Sequence, residues 1–148
     1  MLNMFLGGFE DNDFEVRGLK SVEVYNHAED SWSDMPDMIV GRRDHRLVPI
    51  RNKLFAIGGE LGGDSIQSTE VFDYSTNKFV LLKLPPLTFR FSFDGLKGAF
   101  SLENKIVVIS NDSSKVACFD LEENKWSEIK FDNDYYYEEF CCLKIPQL

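Results

Sequence analysis

The alternation of apolar and polar residues along this chain predicts short strands rather than helices. Runs rich in Val, Ile, Leu and Phe are separated by turns that contain Asn, Asp, Gly and Ser, as is typical of strands joined by tight turns. Two complete sets of four strands are predicted, at 45–50, 54–59, 68–74 and 78–84, and at 98–102, 105–110, 115–120 and 125–129. The pattern therefore predicts an all-β fold built from four-stranded antiparallel units.

A pair of aromatic residues recurs in the third and fourth strands of each unit. The pairs are Tyr25 and Trp32, Phe72 and Phe79, and Phe119 and Trp126, and successive pairs lie 47 residues apart. A fixed period of this length is typical of radially repeated sheets, because one unit cannot bury its own apolar faces. Four short antiparallel strands in each unit predict the blades of a β-propeller.

Two adjacent glycines follow the second strand in the first two units. They are Gly7 and Gly8, then Gly58 and Gly59, whereas Ser110 and Asn111 occupy this place in the third unit. Paired glycine allows positive φ angles and leaves room for a close neighbour. We expect one of the repeated aromatic rings to lie against this bare backbone.

The two ends of the chain supply complementary strands. The first unit begins at its second strand, within residues 3–8, and a first-strand pattern occurs at 138–145. Joining them would remove an open sheet edge, so the predicted blades are 1–40 with 135–148, 41–87, and 88–134. Because propellers typically have about four to eight blades, three blades predict a piece of a longer propeller or one half of a homodimer.

Composition and charge narrow the possible partners. No apolar run exceeds five residues, whereas a membrane span needs roughly 20, so no membrane partner is predicted. The net charge of −9 disfavours nucleic acid, whose phosphates bind clustered Lys and Arg. Cys118, Cys141 and Cys142 do not predict a disulfide framework and are interpreted as small buried hydrophobes in a reducing, cytoplasmic environment.

No arrangement of residues predicts catalysis, a cofactor or a metal. His27 and His45 stand apart in the sequence, and no metal-ligand spacing accompanies them. A nucleophile elbow and a phosphate-binding loop are also missing from the sequence. We therefore predict that the chain is not an enzyme and uses no cofactor.

Together these landmarks resemble the kelch repeat over residues 4–145. Kelch repeats combine an apolar strand, a double glycine such as Gly58–Gly59, and a Tyr and a Trp spaced as Tyr25 and Trp32 are. The segment 21–59 carries the resemblance most fully. The later units depart from it, with Phe72 and Phe79 in place of Tyr and Trp, and with Ser110–Asn111 in place of the glycines. The resemblance implies a β-propeller that binds other proteins.

The resemblance is closest to the C-terminal part of BTB-kelch proteins. In such proteins the propeller resembles a substrate receptor, which presents a target to a cullin-based ubiquitin ligase through separate BTB and BACK domains that this sequence does not contain. The resemblance thus implies a protein partner, either a ubiquitination substrate or a cytoskeletal protein such as actin.

Partner recognition is predicted at the longer loops, which share one face of the blades. Arg42 or Arg43 would lie at the mouth of the central channel, where a guanidinium could clamp a carboxylate, although solvation or pairing with Asp44 is an alternative. A Tyr-rich loop offers contact area, or else begins the closing strand. The candidate partner-binding residues are Arg42, Arg43, Arg90, Tyr135, Tyr136 and Tyr137.

Overall fold

The computed structural model of the chain consists of antiparallel β-sheets. The structure describes residues 2–6, 9–12, 15–85, 96–111 and 115–129. Within these ranges the strands form three larger sheets and two two-stranded hairpins. The predicted all-β fold is confirmed, and two of the larger sheets have the predicted four antiparallel strands.

The first unit contributes one three-stranded sheet and one hairpin. Its strands are β1 (Leu2–Leu6), β2 (Phe9–Asn12), β3 (Glu15–Gly18), β4 (Val22–Asn26) and β5 (Ser31–Met35). The sheet has the order β1–β4–β5, and β2 pairs with β3. The strand predicted at 138–145 lies outside the described residues, so closure of this sheet by the C-terminus stays a prediction.

The second and third units each contribute a four-stranded sheet. The second contains β6 (Arg46–Ile50), β7 (Lys53–Ile57), β8 (Glu60–Leu61), β9 (Asp64–Ser65), β10 (Thr69–Asp73) and β11 (Lys78–Leu82). The third contains β12 (Gly98–Leu102), β13 (Lys105–Ile109), β14 (Val116–Asp120) and β15 (Lys125–Ile129). Their orders are β6–β7–β10–β11 and β12–β13–β14–β15, and β8 pairs with β9. The innermost strands β6 and β12 lie side by side.

The repeated aromatic residues are direct cross-strand partners in all three sheets. Tyr25 lies opposite Trp32, Phe72 opposite Phe79, and Phe119 opposite Trp126. The ring centroids are 5.1, 5.0 and 5.0 Å apart, with interplanar angles of 43°, 48° and 44°. Offset, tilted pairs of this kind stabilise neighbouring strands beyond simple burial.

The turn between the last two strands of each sheet is also repeated. A side-chain oxygen of the residue that ends the third strand accepts a hydrogen bond from a backbone amide two residues later, at Asn26, Asp73 and Asp120. The residue before the fourth strand has a positive φ, at Asp30 (48°), Asn77 (54°) and Asn124 (50°). Asn and Asp tolerate this left-handed conformation and favour such side-chain-capped turns.

The second and third sheets each turn their aromatic pair toward the preceding sheet. Phe72 and Phe79 are buried in one core cluster with Val22 of the first sheet and Met38 of the connecting segment. Likewise, Phe119 and Trp126 of the third sheet are buried against apolar residues of the second. The first pair has no described sheet in front of it, and Trp32 is 53% exposed. The apolar face of the first sheet is therefore uncovered among the described residues.

A buried ion pair joins the connecting segment to the second sheet. Arg42 and Glu70 both have fully buried side chains, and Nε and Nη2 of Arg42 donate to Oε1 of Glu70 at 3.1 and 3.0 Å. Nη1 of Arg42 donates to the carbonyls of Gly58 (2.7 Å) and Ser68 (2.8 Å). These bonds satisfy a guanidinium that would otherwise be costly to bury.

The carboxylate of Glu70 is equally well satisfied. It accepts hydrogen bonds from the backbone amides of Ile39 (2.6 Å) and Val40 (2.9 Å). The residue one period earlier, Glu23, is exposed, and the residue one period later is Ala117. The ion pair is therefore specific to the junction between the first and second sheets among the described residues.

Burial of the aromatic pairs predicts unequal costs of truncation at equivalent positions. Phe79 is 8% exposed and Trp32 is 53% exposed, although both occupy the same place in the repeat. We expect Phe79→Ala to lower the free energy of unfolding by about 3–5 kcal/mol and Trp32→Ala by about 1 kcal/mol or less. Urea unfolding followed by circular dichroism would measure both, and equal losses would contradict the proposed stacking.

The ion pair predicts a similar contrast between two glutamates. Glu70→Gln leaves the charge of Arg42 buried without its partner, which should cost about 3–5 kcal/mol of unfolding free energy. Glu23→Gln, one period earlier on an exposed site, should change stability by about 0.5 kcal/mol at most. Thermal and urea unfolding of both variants would test this, and a neutral effect of Glu70→Gln would refute a structural role.

Candidate partner-binding face

The connecting segment 41–43 links the hairpins of the first two units into one surface. The backbone amide of Arg42 donates to the carbonyl of Leu19 at 3.0 Å, next to β3. Arg43 and Glu60 exchange two backbone hydrogen bonds of 3.1 and 2.9 Å, which join the segment to β8. We call residues 18–19, 41–45 and 59–65 the loop face, because they lie together at one end of the two sheets.

Glycines allow the close packing of backbones within the loop face. A Cβ atom on Gly41 would lie 2.2 Å from the carbonyl oxygen of Gly18. A Cβ on Gly59, which has a φ of 96°, would lie 2.6 Å from the carbonyl oxygen of Arg43 and 3.0 Å from Cβ of His45. The nearest neighbours of a Cβ on Gly59 thus belong to the connecting segment, and not to one of the repeated aromatic rings. At Gly58 the expected ring contact stays a prediction.

The two neighbouring arginines occupy different environments. Arg42, predicted to contact a partner at the channel mouth, is instead fully buried, and the carboxylate that it clamps belongs to Glu70 of the same chain. Arg43 is partly exposed and forms an ion pair with Glu60, whose hydrogen bond raises the pKa of Arg43 above its ordinary value. A weaker contact of 4.0 Å joins Arg43 to Asp44.

Several predicted site residues lie outside the described residues. They are the partner-binding candidates Arg90, Tyr135, Tyr136 and Tyr137, and the glycines Gly7 and Gly8. Their assignments stay predictions. Cys118, by contrast, is described, and it is buried with a free thiol.

Sequence reasoning overlooked Glu60 and Glu70, the acidic partners of the two arginines. Glu70 could have been noticed, because it interrupts the apolar strand Thr69–Asp73 on the side of Phe72, where an apolar residue is expected. Glu60 was harder to identify from the sequence as the partner of an arginine. It begins a two-stranded hairpin whose turn is formed by Gly62 and Gly63, a turn sequence that favours hairpins.

The rim of the loop face offers groups for a non-covalent contact. Leu61, on the hairpin of the second unit, is 40% exposed, and the side chain of Asp44 is 68% exposed. The described residues contain no group of three or more His, Cys, Asp and Glu that could hold a metal ion. Within the same ranges, no helix exists that could cross a membrane. The arrangement suits recognition of another macromolecule by shape and charge.

The opposite end of the sheets carries an open cleft with paired charges. Lys105 forms an ion pair with Asp120, which lowers the pKa of Asp120 to about 2. Arg51 lies 3.7 Å from Glu122. The cleft has a volume of about 460 Å³, and its lining residues are Arg51, Glu103, Asn104, Lys105, Asp120 and Glu122. Since four of its five charged residues pair with one another, this end provides a suitable control surface.

His45 is the titratable group that the loop face holds in an unusual state. Its pKa is lowered to about 4, mainly because burial disfavours the charged imidazolium, and further by the nearby cations Arg42 and Arg46. Asp44 and Glu70 oppose this shift without reversing it. The Nδ1 atom of His45 has no hydrogen-bond partner among the described residues. His45 is therefore neutral at pH 7.

This shift predicts a loss of stability that begins at a pH above the range in which carboxylates titrate. Because the unfolded chain binds a proton at His45 more readily than the folded chain, stability is full above pH 6.5 and falls as the pH drops toward about 4. The loss should reach about 3 kcal/mol at most. Urea unfolding at several pH values should show this fall in the native chain and a flatter profile in His45→Gln. The control variant His27→Gln, in an exposed turn, should lose stability with falling pH as the native chain does. If His45→Gln also showed the native pH profile, His45 would not be the source of the acid sensitivity.

Comparison with known proteins agrees with this geometry. A sequence profile of the Kelch motif matches residues 6–39 and 41–83. Kelch-like protein 7 of Rattus norvegicus is 34% identical over 75 residues, which cover 51% of this chain and 13% of that protein. Kelch-like protein 25 of Xenopus tropicalis is 27% identical over 125 residues, covering 73% and 20%.

A third relative extends the similarity over most of the chain. Kelch-like protein 35 of Mus musculus is 26% identical over 121 residues, covering 78% of this chain and 21% of that protein. The chain thus spans between 13% and 21% of the length of these curated relatives. The motif matches cover more than half of the chain. The first runs from the end of β1 past β5, and the second contains all strands of the second sheet. The chain belongs to the kelch-motif family.

Proposed function

We propose that this chain is a protein-binding kelch segment whose partner contacts the loop face. The observation that supports the proposal most strongly is the rigid attachment of segment 41–43. The segment is bonded to β3 on one side and β8 on the other, and its buried end is fixed by the ion pair between Arg42 and Glu70. A rim held in this way loses little conformational entropy on binding.

A more specific role is substrate recognition for a cullin-based ubiquitin ligase in the cytoplasm. Kelch repeats generally mediate interactions between proteins, and the similar proteins are kelch-like proteins. The resemblance to BTB-kelch proteins supports this adaptor role, and the buried free thiol of Cys118 suits a reducing compartment. Kelch-repeat proteins are typically non-enzymatic scaffolds or adaptors, so we propose no catalytic role.

Self-association is a second candidate function, supported by the face of the first sheet that no other described residues cover. Trp32 is 53% exposed there, whereas its equivalents Phe79 and Trp126 are buried by a neighbouring sheet. Two chains that cover this face would form a larger ring. Sedimentation equilibrium should then show a dimer that Trp32→Glu abolishes, and a monomer at every concentration would exclude this candidate.

Loop-face variants provide the test of partner binding. The double variant Asp44→Lys and Leu61→Asp alters exposed groups of the rim without touching the buried ion pair, and it should weaken partner capture from cells by about tenfold. Glu103→Lys, in an exposed turn at the opposite end, is the matched control and should capture as the native chain does. Equal capture by all three chains would refute recognition at the loop face.

The identity of the captured partner separates the adaptor role from a cytoskeletal role, the alternative that the family resemblance implies. A ubiquitination substrate should become longer-lived when the chain is overproduced, because the chain competes with the complete receptor for it. A cytoskeletal partner should instead appear as cosedimentation of the chain with actin filaments. A captured partner whose lifetime is unchanged would count against the adaptor role.

A further inference from the structure

The outer strand of the second sheet exposes two adjacent apolar side chains near its centre. β11 is the edge strand of its sheet, and Val80 is 56% and Leu81 48% exposed. The neighbouring Phe79 is buried at 8% exposure, and Leu82 packs against a core cluster, so the strand is anchored near both ends while its centre faces solvent. Exposed apolar edge strands readily accept another strand.

The equivalent outer strands have polar residues at these two positions. Val80 lies opposite Val71, as Ser127 lies opposite Cys118 in the third sheet and Ser33 opposite Val24 in the first. The next positions hold Leu81, Glu128 and Asp34. Polar or charged side chains are a usual protection of sheet edges against pairing. β11 therefore lacks a protection that β5 and β15 have.

Two lysines bracket the exposed apolar centre of β11. Lys78 begins the strand and Lys83 follows its end, and both are exposed. Neither makes an ion pair within the described part of the chain, because the cross-strand partner of Lys78, Asp73, is 3.5 Å from Lys53 instead. An added strand with acidic residues at both ends would match this charge pattern.

We propose that β11 is a docking site for an extended protein segment with an apolar centre and acidic flanks. Alternate peptide groups of an edge strand point away from its sheet, so the segment would bind as a further strand by backbone hydrogen bonds. Its apolar side chains would cover Val80 and Leu81, and its acidic ends would lie beside Lys78 and Lys83. This site is on the outer rim and is independent of the loop face.

A defined peptide tests the proposal on the full chain. The probe is a fluorescent peptide with the sequence DDVTVTVDD, and the control peptide replaces every Asp by Lys. We expect the acidic probe to bind by fluorescence anisotropy, and the lysine peptide to bind about tenfold more weakly at low ionic strength. Hydrogen exchange should slow at the amides of β11 and remain unchanged at β15. Equal binding of both peptides, or protection elsewhere, would overturn the proposal.

Exchanging the residues at two equivalent positions between β11 and β15 gives a matched pair of variants, one that should lose the site and one that should gain it. V80S/L81E gives β11 the residues that β15 has at these positions, and we expect at least about tenfold weaker binding of the acidic probe. S127V/E128L gives β15 the residues of β11, and should add a second binding site with new protection at its amides. Unchanged binding in V80S/L81E, with native thermal unfolding, would overturn the proposal.

A second copy of the chain is the competing occupant of the edge. It would appear as a concentration-dependent dimer that V80S/L81E abolishes, together with no binding of the acidic probe. That result would overturn the acidic-segment proposal and leave the loop-face function untouched. If V80S/L81E fails to fold, S127V/E128L still tests the acidic-segment proposal, because a lack of additional probe binding in that variant would count against it.

Discussion

The structure depends on the fact that each sheet has two apolar faces and cannot bury either of them alone. β7 shows this directly, since Leu54 and Ala56 are buried in the cluster shared with the first sheet, while Phe55 and Ile57 are buried in the cluster shared with the third. A strand buried on both faces needs a neighbouring sheet on each side. Stacking is therefore a condition of folding for the second sheet, and the repeated aromatic pairs are its main contact surface.

Hydrophobic stacking alone would leave the connecting segments poorly defined, because burial is not directional. Directional bonds supply the missing constraint at the first junction. Arg42 reaches the carbonyls of Gly58 and Ser68, and Glu70 holds the amides of Ile39 and Val40. The same bonds that satisfy two buried charges thus set the path of segment 41–43. The geometry of the loop face is a consequence of this buried pair.

The sequence was sufficient to predict the fold because the fold is carried by periodic, local signals. The aromatic pairs, the turn residues and the apolar strands each repeat, so that Phe72 and Phe79 could be assigned to the third and fourth strands of one sheet from their spacing alone. The role of Arg42 could not be predicted in this way. An arginine in a connecting loop is usually solvated, and its burial depends on acceptors contributed by residues 16–28 positions further along the chain. The uncharged state of His45 has the same origin, since it results from burial and from the nearby cations Arg42 and Arg46 rather than from a sequence motif.

The two junctions between sheets are built differently, and this bears on where the repeat can vary. The place of Glu70 is taken by Ala117 in the third sheet, which is buried in the apolar cluster shared with the second sheet. The second junction therefore rests on apolar packing at this position, whereas the first adds oriented hydrogen bonds.

In both sheets the fourth strand contributes one aromatic residue to the junction, Phe79 or Trp126, and its remaining positions are less constrained by stacking. The outer strands differ at those positions: β11 has Val80 and Leu81 where β15 has Ser127 and Glu128. Divergence at the rim is compatible with an unchanged core, because the constraint that holds the sheets together acts on their faces rather than on their edges.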